Sequence, residues 1–256
     1  MAIDISHRNE RYSRKIVLSP KNAGGLSGSI VKLIAIAAML IDHIAWAFVP
    51  FGSIAGQAMH IVGRITAPVM CFMVAEGYHY TRNVRAYALR LGVFAVISHF
   101  AYGYFHWGTL RPFHSTSVIF TLLLGLMALV LKDSQRLSMN AKYSLTLIIA
   151  LVSMLCDWGG IGVVWIVLFH MYRWDRKMQI KSFCIATAIY IIIDTIFCAF
   201  MGRWYNDLFQ MGIFLAVPLL MKYNGRRGKY GMKWLFYVLY PAHLALLGII
   251  KYVVLK

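Results

Sequence analysis

Long apolar runs separated by short polar stretches fill the chain from residue 29 onward. A helix needs about 20 mostly apolar residues to cross a bilayer. We count about nine candidate spans, at roughly 29–49, 54–76, 84–104, 117–131, 142–156, 160–172, 182–201, 207–222 and 233–255. The sequence Asp157-Trp158-Gly159-Gly160, between the short fifth and sixth spans, predicts a tight turn or the break of a re-entrant pair. The pattern predicts an all-α, polytopic helical membrane protein with about nine transmembrane helices, in a range of eight to ten.

The composition agrees with that fold class. Hydrophobic residues make up 60% of the 256 positions and charged residues 14%, and the mean hydropathy is +0.66. Soluble domains are nearer one quarter charged, and disordered chains are poorer in apolar residues. These values argue against a soluble domain of this length and exclude a disordered chain.

The charge balance has two possible meanings, and its distribution separates them. There are 26 Lys and Arg against 9 Asp and Glu, for a net charge of +17, which is typical of nucleic-acid binding or of cytoplasmic membrane loops. Most of the cations lie in residues 1–28 or in loops after alternate spans. We therefore expect a cytoplasmic N-terminus, a basic cytoplasmic segment 1–28, a membrane bundle over 29–256, and no nucleic-acid partner.

Ionisable residues within the apolar spans are the candidates for chemistry, because such groups are costly at membrane depth and are usually functional. No CxxC pair or other metal-ligand spacing accompanies them, so we expect no metal site. The ionisable residues within the apolar spans are Lys32, Asp42, His43, His60, Arg64, Glu76, Arg90, His99, His170, Asp194 and His243.

Lys32 and His43 fall on one helix face, because 11 residues turn a helix about 20° past three full turns. They lie about 16.5 Å apart along the helix axis. A cation at the cytoplasmic edge and a deeper imidazole suit a long ligand with an anionic head and a reactive end, as in coenzyme A thioesters. The alternative is that Lys32 only extends its ammonium group to the membrane interface.

Two prolines mark broken helices beside other charged groups. His243 follows Pro241, which predicts a kink, and Arg64 precedes Pro68. Asp42 diverges from its neighbour His43 by about 100°, so Arg64 or Arg90 is its predicted partner. The alternatives are a structural ion pair for Asp42 and a hydrogen-bonded core position for His243.

The ordered set of these stretches resembles the TraX family, the membrane acetylases of F-type conjugative pilin. The resemblance covers about residues 29–250. It rests on Lys32-Leu33-Ile34-Ala35, Met39-Leu40-Ile41-Asp42-His43, Gly63-Arg64 with Pro68, Ala75-Glu76-Gly77 with Thr81-Arg82-Asn83, Cys156-Asp157-Trp158-Gly159, Tyr223-Asn224-Gly225, Phe236-Tyr237 and Tyr240-Pro241-Ala242-His243-Leu244. More distantly, the chain is similar to transmembrane acyltransferases, which carry a basic residue, ten intervening residues and a histidine in the first span. Lys32 and His43 reproduce this spacing, with Lys where Arg is usual.

The resemblance implies acetyl transfer from acetyl-CoA to the N-terminal amine of a pilin subunit in the bacterial inner membrane. An N-terminal amine has an unperturbed pKa near 8, so it must lose a proton before it can attack a thioester. A histidine is the natural general base for this step. We expect His43 in that role, His243 as the second candidate, and Asp42 or Glu76 to orient an imidazole or hold the ammonium group. The residues expected around acetyl-CoA are Lys32, Arg64, Arg90, Glu76 and Asn224.

Two other functions fit the same residues. Charged groups on kinked membrane helices also serve proton-coupled transporters, although we find no internal repeat of the kind such transporters often contain. A non-catalytic scaffold for pilin assembly would bind pilin helices without any dependence on acetyl-CoA.

Overall fold

The computed structural model describes residues 24–110, 116–202, 204–228 and 233–254, so most of the predicted basic segment 1–28 lies outside the described residues. Within these ranges the fold is helical, with two isolated bridges and no strand. The α helices are α1 (Gly28–Phe48), α2 (Ile54–Gly63), α3 (Thr66–Tyr80), α4 (Val84–Trp107), α5 (Val118–Lys132), α6 (Met139–Val152), α7 (Gly159–Met171), α8 (Arg176–Phe200), α9 (Ala216–Lys222) and α10 (Lys233–Ile249).

Five helical stretches of the described chain are long and apolar enough to cross a membrane. They are α1, the α2–α3 pair, α4, α8 and the stretch Trp234–Val254, while α5, α6 and α7 are shorter apolar helices. The chain is therefore a helical membrane protein. The count of nine spans and the cytoplasmic N-terminus stay predictions.

The structure differs from the predicted pattern over 207–222. A 3₁₀ helix over Trp204–Leu215, hereafter the 3₁₀ segment, is followed by the short helix α9. The 3₁₀ segment packs directly on α2, where a Cβ on Gly212 would overlap the Ile61 backbone. The prediction of one continuous α-helical span here is wrong, because apolar content does not distinguish a tightly packed 3₁₀ run from an α helix.

Helix α3 is the centre of the bundle and is buried from Ala67 to Glu76. It packs against α1, α5, α7 and α9. The aromatic side chains Phe72, Phe169 and Phe183 are fully buried around it. Because α3 is enclosed, its polar residues face other helices and not lipid.

One end of the bundle collects cations, and we call it the basic end: Lys32, Arg173, Arg176, Arg226 and Arg227. The backbone N–H groups of Gly28 and Ser29, at the start of α1, donate to the carbonyls of Arg226 and Arg227. The Arg176 guanidinium lies 5.7 Å from the centre of the Tyr223 ring. The two backbone hydrogen bonds hold the turn between α9 and α10 on the first turn of α1.

Candidate active site

The buried carboxylate Asp42 pairs with two cationic or polar groups from the second span. Its Oδ1 lies 2.8 Å from Nδ1 of His60, and its Oδ2 accepts a hydrogen bond of 2.9 Å from Nη2 of Arg64. His60 and Arg64 are four residues apart, so they project from the same side of the helical turn. Of the two arginines predicted as partners of Asp42, the structure selects Arg64.

A break between α2 and α3 makes this pairing possible. Helix α2 ends at Gly63 and α3 begins at Thr66, as the stretch from Gly63 to Pro68 predicts. A Cβ on Gly63 would overlap the Asp42 side chain. Only glycine at this position lets α1 approach the break closely enough for Arg64 to reach Asp42.

His43 and His243 lie against each other across the interface of α1 and α10. Nδ1 of His43 is 2.8 Å from the Met39 carbonyl oxygen and 3.2 Å from Nε2 of His243. Nδ1 of His243 is 2.8 Å from the Leu239 carbonyl oxygen. Because a carbonyl only accepts, both Nδ1 atoms carry protons in the neutral rings. His43 therefore donates to His243, and Nε2 of His43 keeps its lone pair.

The His43 and Asp42 side chains line the same cavity, of about 130 Å³. Its wall is formed by side chains from α1, the α2–α3 break, α4, α5, α10 and the turn before α7. The lining residues include Asp42, His43, Trp46, Gly63, Arg64, Thr66, Tyr102, His106, Asp157, Trp158, Phe236 and Tyr240. The cavity thus places an unprotonated imidazole nitrogen beside a charged network, in an enclosure lined by both polar and apolar side chains.

The turn before α7 adds a second carboxyl group to the cavity. Burial raises the pKa of Asp157 to about 6, while the nearby Arg64 guanidinium opposes that rise. Trp158 adopts a left-handed backbone with φ 65°, and its ring lies 4.7 Å from the Arg64 guanidinium carbon. The turn predicted at Asp157–Gly160 is therefore present, and it closes over Arg64.

Three of the residues expected around acetyl-CoA lie at the basic end and not at the cavity. Lys32 is about 15 Å along α1 from Asp42, and Glu76 is about 15 Å along α3 from Thr66. The Glu76 carboxylate accepts hydrogen bonds of 3.1 and 3.3 Å from Arg173. The Asn224 side chain caps the turn, with contacts to the Gly25 carbonyl and the Arg226 N–H.

Arg90 is also separate from the cavity lining. Its guanidinium carbon lies 5.8 Å from the Tyr87 ring centre, and Tyr237 is close by. The structure thus brings together Asp42, His43, Arg64 and His243 from the predicted set. The other four stay predictions for a ligand that reaches beyond the cavity.

A polar chain near the basic end was not singled out by sequence reasoning. The His170 ring lies 3.0 Å from His79 through Nδ1 and 3.1 Å from Asp133 through Nε2, and the Tyr78 hydroxyl donates to Asp133. Burial raises the pKa of Asp133, but the hydrogen bonds from His170 and Tyr78 outweigh burial and lower the pKa below its usual value. These contacts join α3, α5 and α7.

The sequence included His60 among the ionisable residues of the spans but did not predict its contact with Asp42, and it did not single out His106. His60 sits four residues before Arg64, and that spacing is the signal that could have found it. His106 ends α4 and is brought to the cavity only by helix packing.

Comparison with known proteins agrees with the resemblance read from the motifs. The family model "TraX protein" matches residues 27–251. The "Probable fimbrial assembly protein FimC, serogroup H1" of Dichelobacter nodosus is 34% identical over 229 residues, which cover 85% of this chain and 92% of that protein. No solved structure matches the chain. With the matched region spanning every helix of the cavity wall, the chain belongs to the TraX protein family.

Proposed function

We propose that the protein is a membrane-embedded acetyltransferase that moves an acetyl group from acetyl-CoA to the N-terminal amine of a pilin subunit. The observation that carries the proposal is the His43–His243 pair, which leaves Nε2 of His43 unprotonated in a cavity beside Asp42 and Arg64. The membrane concerned is the bacterial inner membrane, because acetyl-CoA is cytoplasmic.

The acceptor amine first loses one proton to water, and the neutral amine then attacks the thioester carbonyl carbon. A C–N bond forms while the C–S bond breaks. His43 Nε2 takes the second proton from the attacking nitrogen and returns it to the leaving thiolate. The products are the acetylated amine and free CoA. His243 accepts from His43 Nδ1 and helps to hold the ring in the tautomer that this step needs.

The separation of the basic end from the cavity suits the donor. Lys32 and His43 are about 16.5 Å apart along α1, and Arg227 is a charged neighbour of Lys32. We expect the CoA phosphates at the basic end, the pantetheine arm along α1, and the thioester at His43. Lys32 binds phosphate as a point charge, without the fork of an arginine.

The acceptor assignment rests on the family and on the named relative, a probable fimbrial assembly protein. We expect the acceptor to be a pilin subunit that is held in the membrane. A catalyst that is itself embedded in the membrane suits such an acceptor.

The test is to incubate the purified, reconstituted protein with acetyl-CoA and pilin and to measure the pilin mass. We expect a gain of one acetyl group on the amino terminus in the presence of wild-type protein, and no gain with His43→Ala. Thermal stabilisation by acetyl-CoA or CoA separates the enzyme from a proton-coupled transporter and from a non-catalytic scaffold. Unmodified pilin together with an unchanged melting temperature would overturn the proposal.

A further inference from the structure

The carboxylate of Asp194 lies on helix α8, one side of which is exposed and apolar. Its neighbours Ile193, Ile196 and Phe197 are each more than half exposed, as expected for side chains in contact with lipid. Asp194 is partly buried on this helix, and within the described chain its carboxylate forms no ion pair or hydrogen bond. A charged group at membrane depth needs a partner, so Asp194 calls for one that the described chain does not supply.

A second carboxylate, that of Asp207, adds another negative charge near Asp194. Asp207, in the 3₁₀ segment, packs on the same face of α8, because its partner Cys198 lies four residues after Asp194. One Asp207 oxygen accepts a contact of 2.6 Å from the Cys198 thiol. A cation bound between two such carboxylates would remove their mutual repulsion.

A buried amide oxygen gives an independent sign of a missing donor. Gln210 is only 8% exposed, and its Nε2 donates to the Tyr190 hydroxyl at 3.4 Å. Its Oε1 is buried and accepts no hydrogen bond from any residue that the structure describes. Tyr190 lies four residues before Asp194 on α8 and therefore on the same helix face, so Gln210 packs beside that face.

We propose that Asp194, Asp207 and Gln210 form an acceptor subsite, which binds the amino-terminal ammonium group of the polypeptide to be acetylated. Three acceptor groups match the three N–H donors and the positive charge of a primary ammonium. The described residues hold no group of His, Cys, Asp and Glu that could bind a metal ion. The lipid-facing side of α8 suits an acceptor that arrives through the bilayer.

The acceptor subsite adjoins the cavity. Phe209, next to Gln210, lies 5.0 Å from the Arg64 guanidinium carbon, and Tyr190 is within electrostatic range of Arg64 and Asp157 as well. The acceptor subsite is therefore separated from the Arg64 side of the cavity by the Phe209 ring. This inference rests on the proposed acetyltransferase function.

The test uses the full-length protein in detergent and a synthetic apolar peptide of about 20 residues with a free amino terminus. We compare wild type with Asp194→Asn/Asp207→Asn in steady-state acetylation, varying the peptide and acetyl-CoA separately. The KM for the peptide is expected to rise about tenfold or more, the value for loss of charge-assisted hydrogen bonds. The KM for acetyl-CoA and the thermal shift produced by CoA stay unchanged, which shows that the variant is folded.

Two controls sharpen the result. Asp175→Asn removes a charge at the opposite end of α8 while Asn keeps the helix N-cap, and its peptide KM stays at the wild-type value. Direct binding of the peptide and of its N-acetylated form gives a second readout, with a preference for the free amine in wild type that is lost in the double variant.

The two proposals fail in different ways. A wild-type protein that acetylates the peptide, with an unchanged KM and an unchanged preference in the double variant, overturns the acceptor subsite. A wild-type protein that prefers the free amine but never acetylates it overturns the acetyltransferase function and leaves the subsite standing.

Discussion

Nδ1 of His43 lies 3.2 Å from Nε2 of His243, which joins the first helix to the last across 200 positions of sequence. Both rings also bond the carbonyl four residues earlier in their own helices. The two histidines therefore have fixed tautomers, and of the two only His43, which lines the cavity, has a nitrogen with a free lone pair.

The histidine pair predicts unequal losses of activity. His43→Ala is expected to lower kcat by about 10²–10⁴-fold, the usual contribution of a general base. His243→Ala lowers it less, because the Met39 carbonyl still accepts from Nδ1 of position 43. Initial rates with pilin peptide measure both effects, and His99→Ala, outside the cavity lining, is the matched control. Equal rates for His43→Ala and wild type would contradict the base assignment.

The Asp42–Arg64 pair predicts coupled effects on stability. Asp42→Asn leaves the Arg64 charge without its counter-ion, and we expect a loss of about 3–5 kcal/mol in the free energy of unfolding. Asp42→Asn/Arg64→Met removes both charges and is expected to recover part of that loss. Denaturant titration of wild type, Asp42→Asn, Arg64→Met and the double variant in detergent measures the coupling. Additive single and double effects would show that the pair does not act as a unit.

Gly63 predicts a steric effect at the break between α2 and α3. Gly63→Ala places a methyl group against Asp42, so we expect about 1–3 kcal/mol of destabilisation and a loss of acetylation. Gly52→Ala is the control, because nothing lies within 4 Å of a Cβ there. The melting temperature and the acetylation rate of the two variants test this prediction. Equal values for Gly63→Ala and Gly52→Ala would argue against a close approach of Gly63 and Asp42.

Asp157 predicts a pH dependence of stability. Burial raises its pKa from 3.8 to about 6, so the folded state binds this proton more tightly than the unfolded state. The contribution of Asp157 to stability is therefore present below pH 4 and is lost as pH rises through about 6. We expect Asp157→Asn to have a higher Tm than wild type at pH 7.5 and a similar Tm near pH 4. A Tm difference independent of pH would refute this assignment.

Lys32 predicts an effect on the donor alone. Lys32→Gln is expected to raise the KM for acetyl-CoA by about tenfold with little change in kcat, since it removes one phosphate contact far from the thioester. Lys177→Gln, at an exposed position of α8, is the matched control. A fall in kcat at constant KM would instead place Lys32 in the chemical step.

Several features were predictable from local sequence because their causes are local. The break before Pro68 and the turn at Asp157 follow from backbone chemistry within a few residues. The ionisable residues of the site also stood out, since charge at membrane depth is visible in any apolar span. Asp42, His43, Arg64 and His243 were all found in this way.

Other features depend on which helices touch, and no periodicity contains that information. His60 and Arg64 meet the two oxygens of Asp42 only because Gly63 lets α1 and α2 approach closely. His106 reaches the cavity through the packing of α4. The 3₁₀ segment has the composition of a membrane span, and its contact with α2 gives it a different form.

The amino-acid sequence by itself determined that this is a helical membrane protein of the TraX family with charged groups inside its spans, because hydrophobicity and motif order are properties of the chain. The tertiary structure decided which of these groups form one site. Asp42 pairs with Arg64 and not with Arg90, and His43 contacts His243. Lys32 and Glu76 lie apart from them, at the basic end. Hydrogen bonds and ion pairs act over about 3 Å, and only helix packing sets such distances.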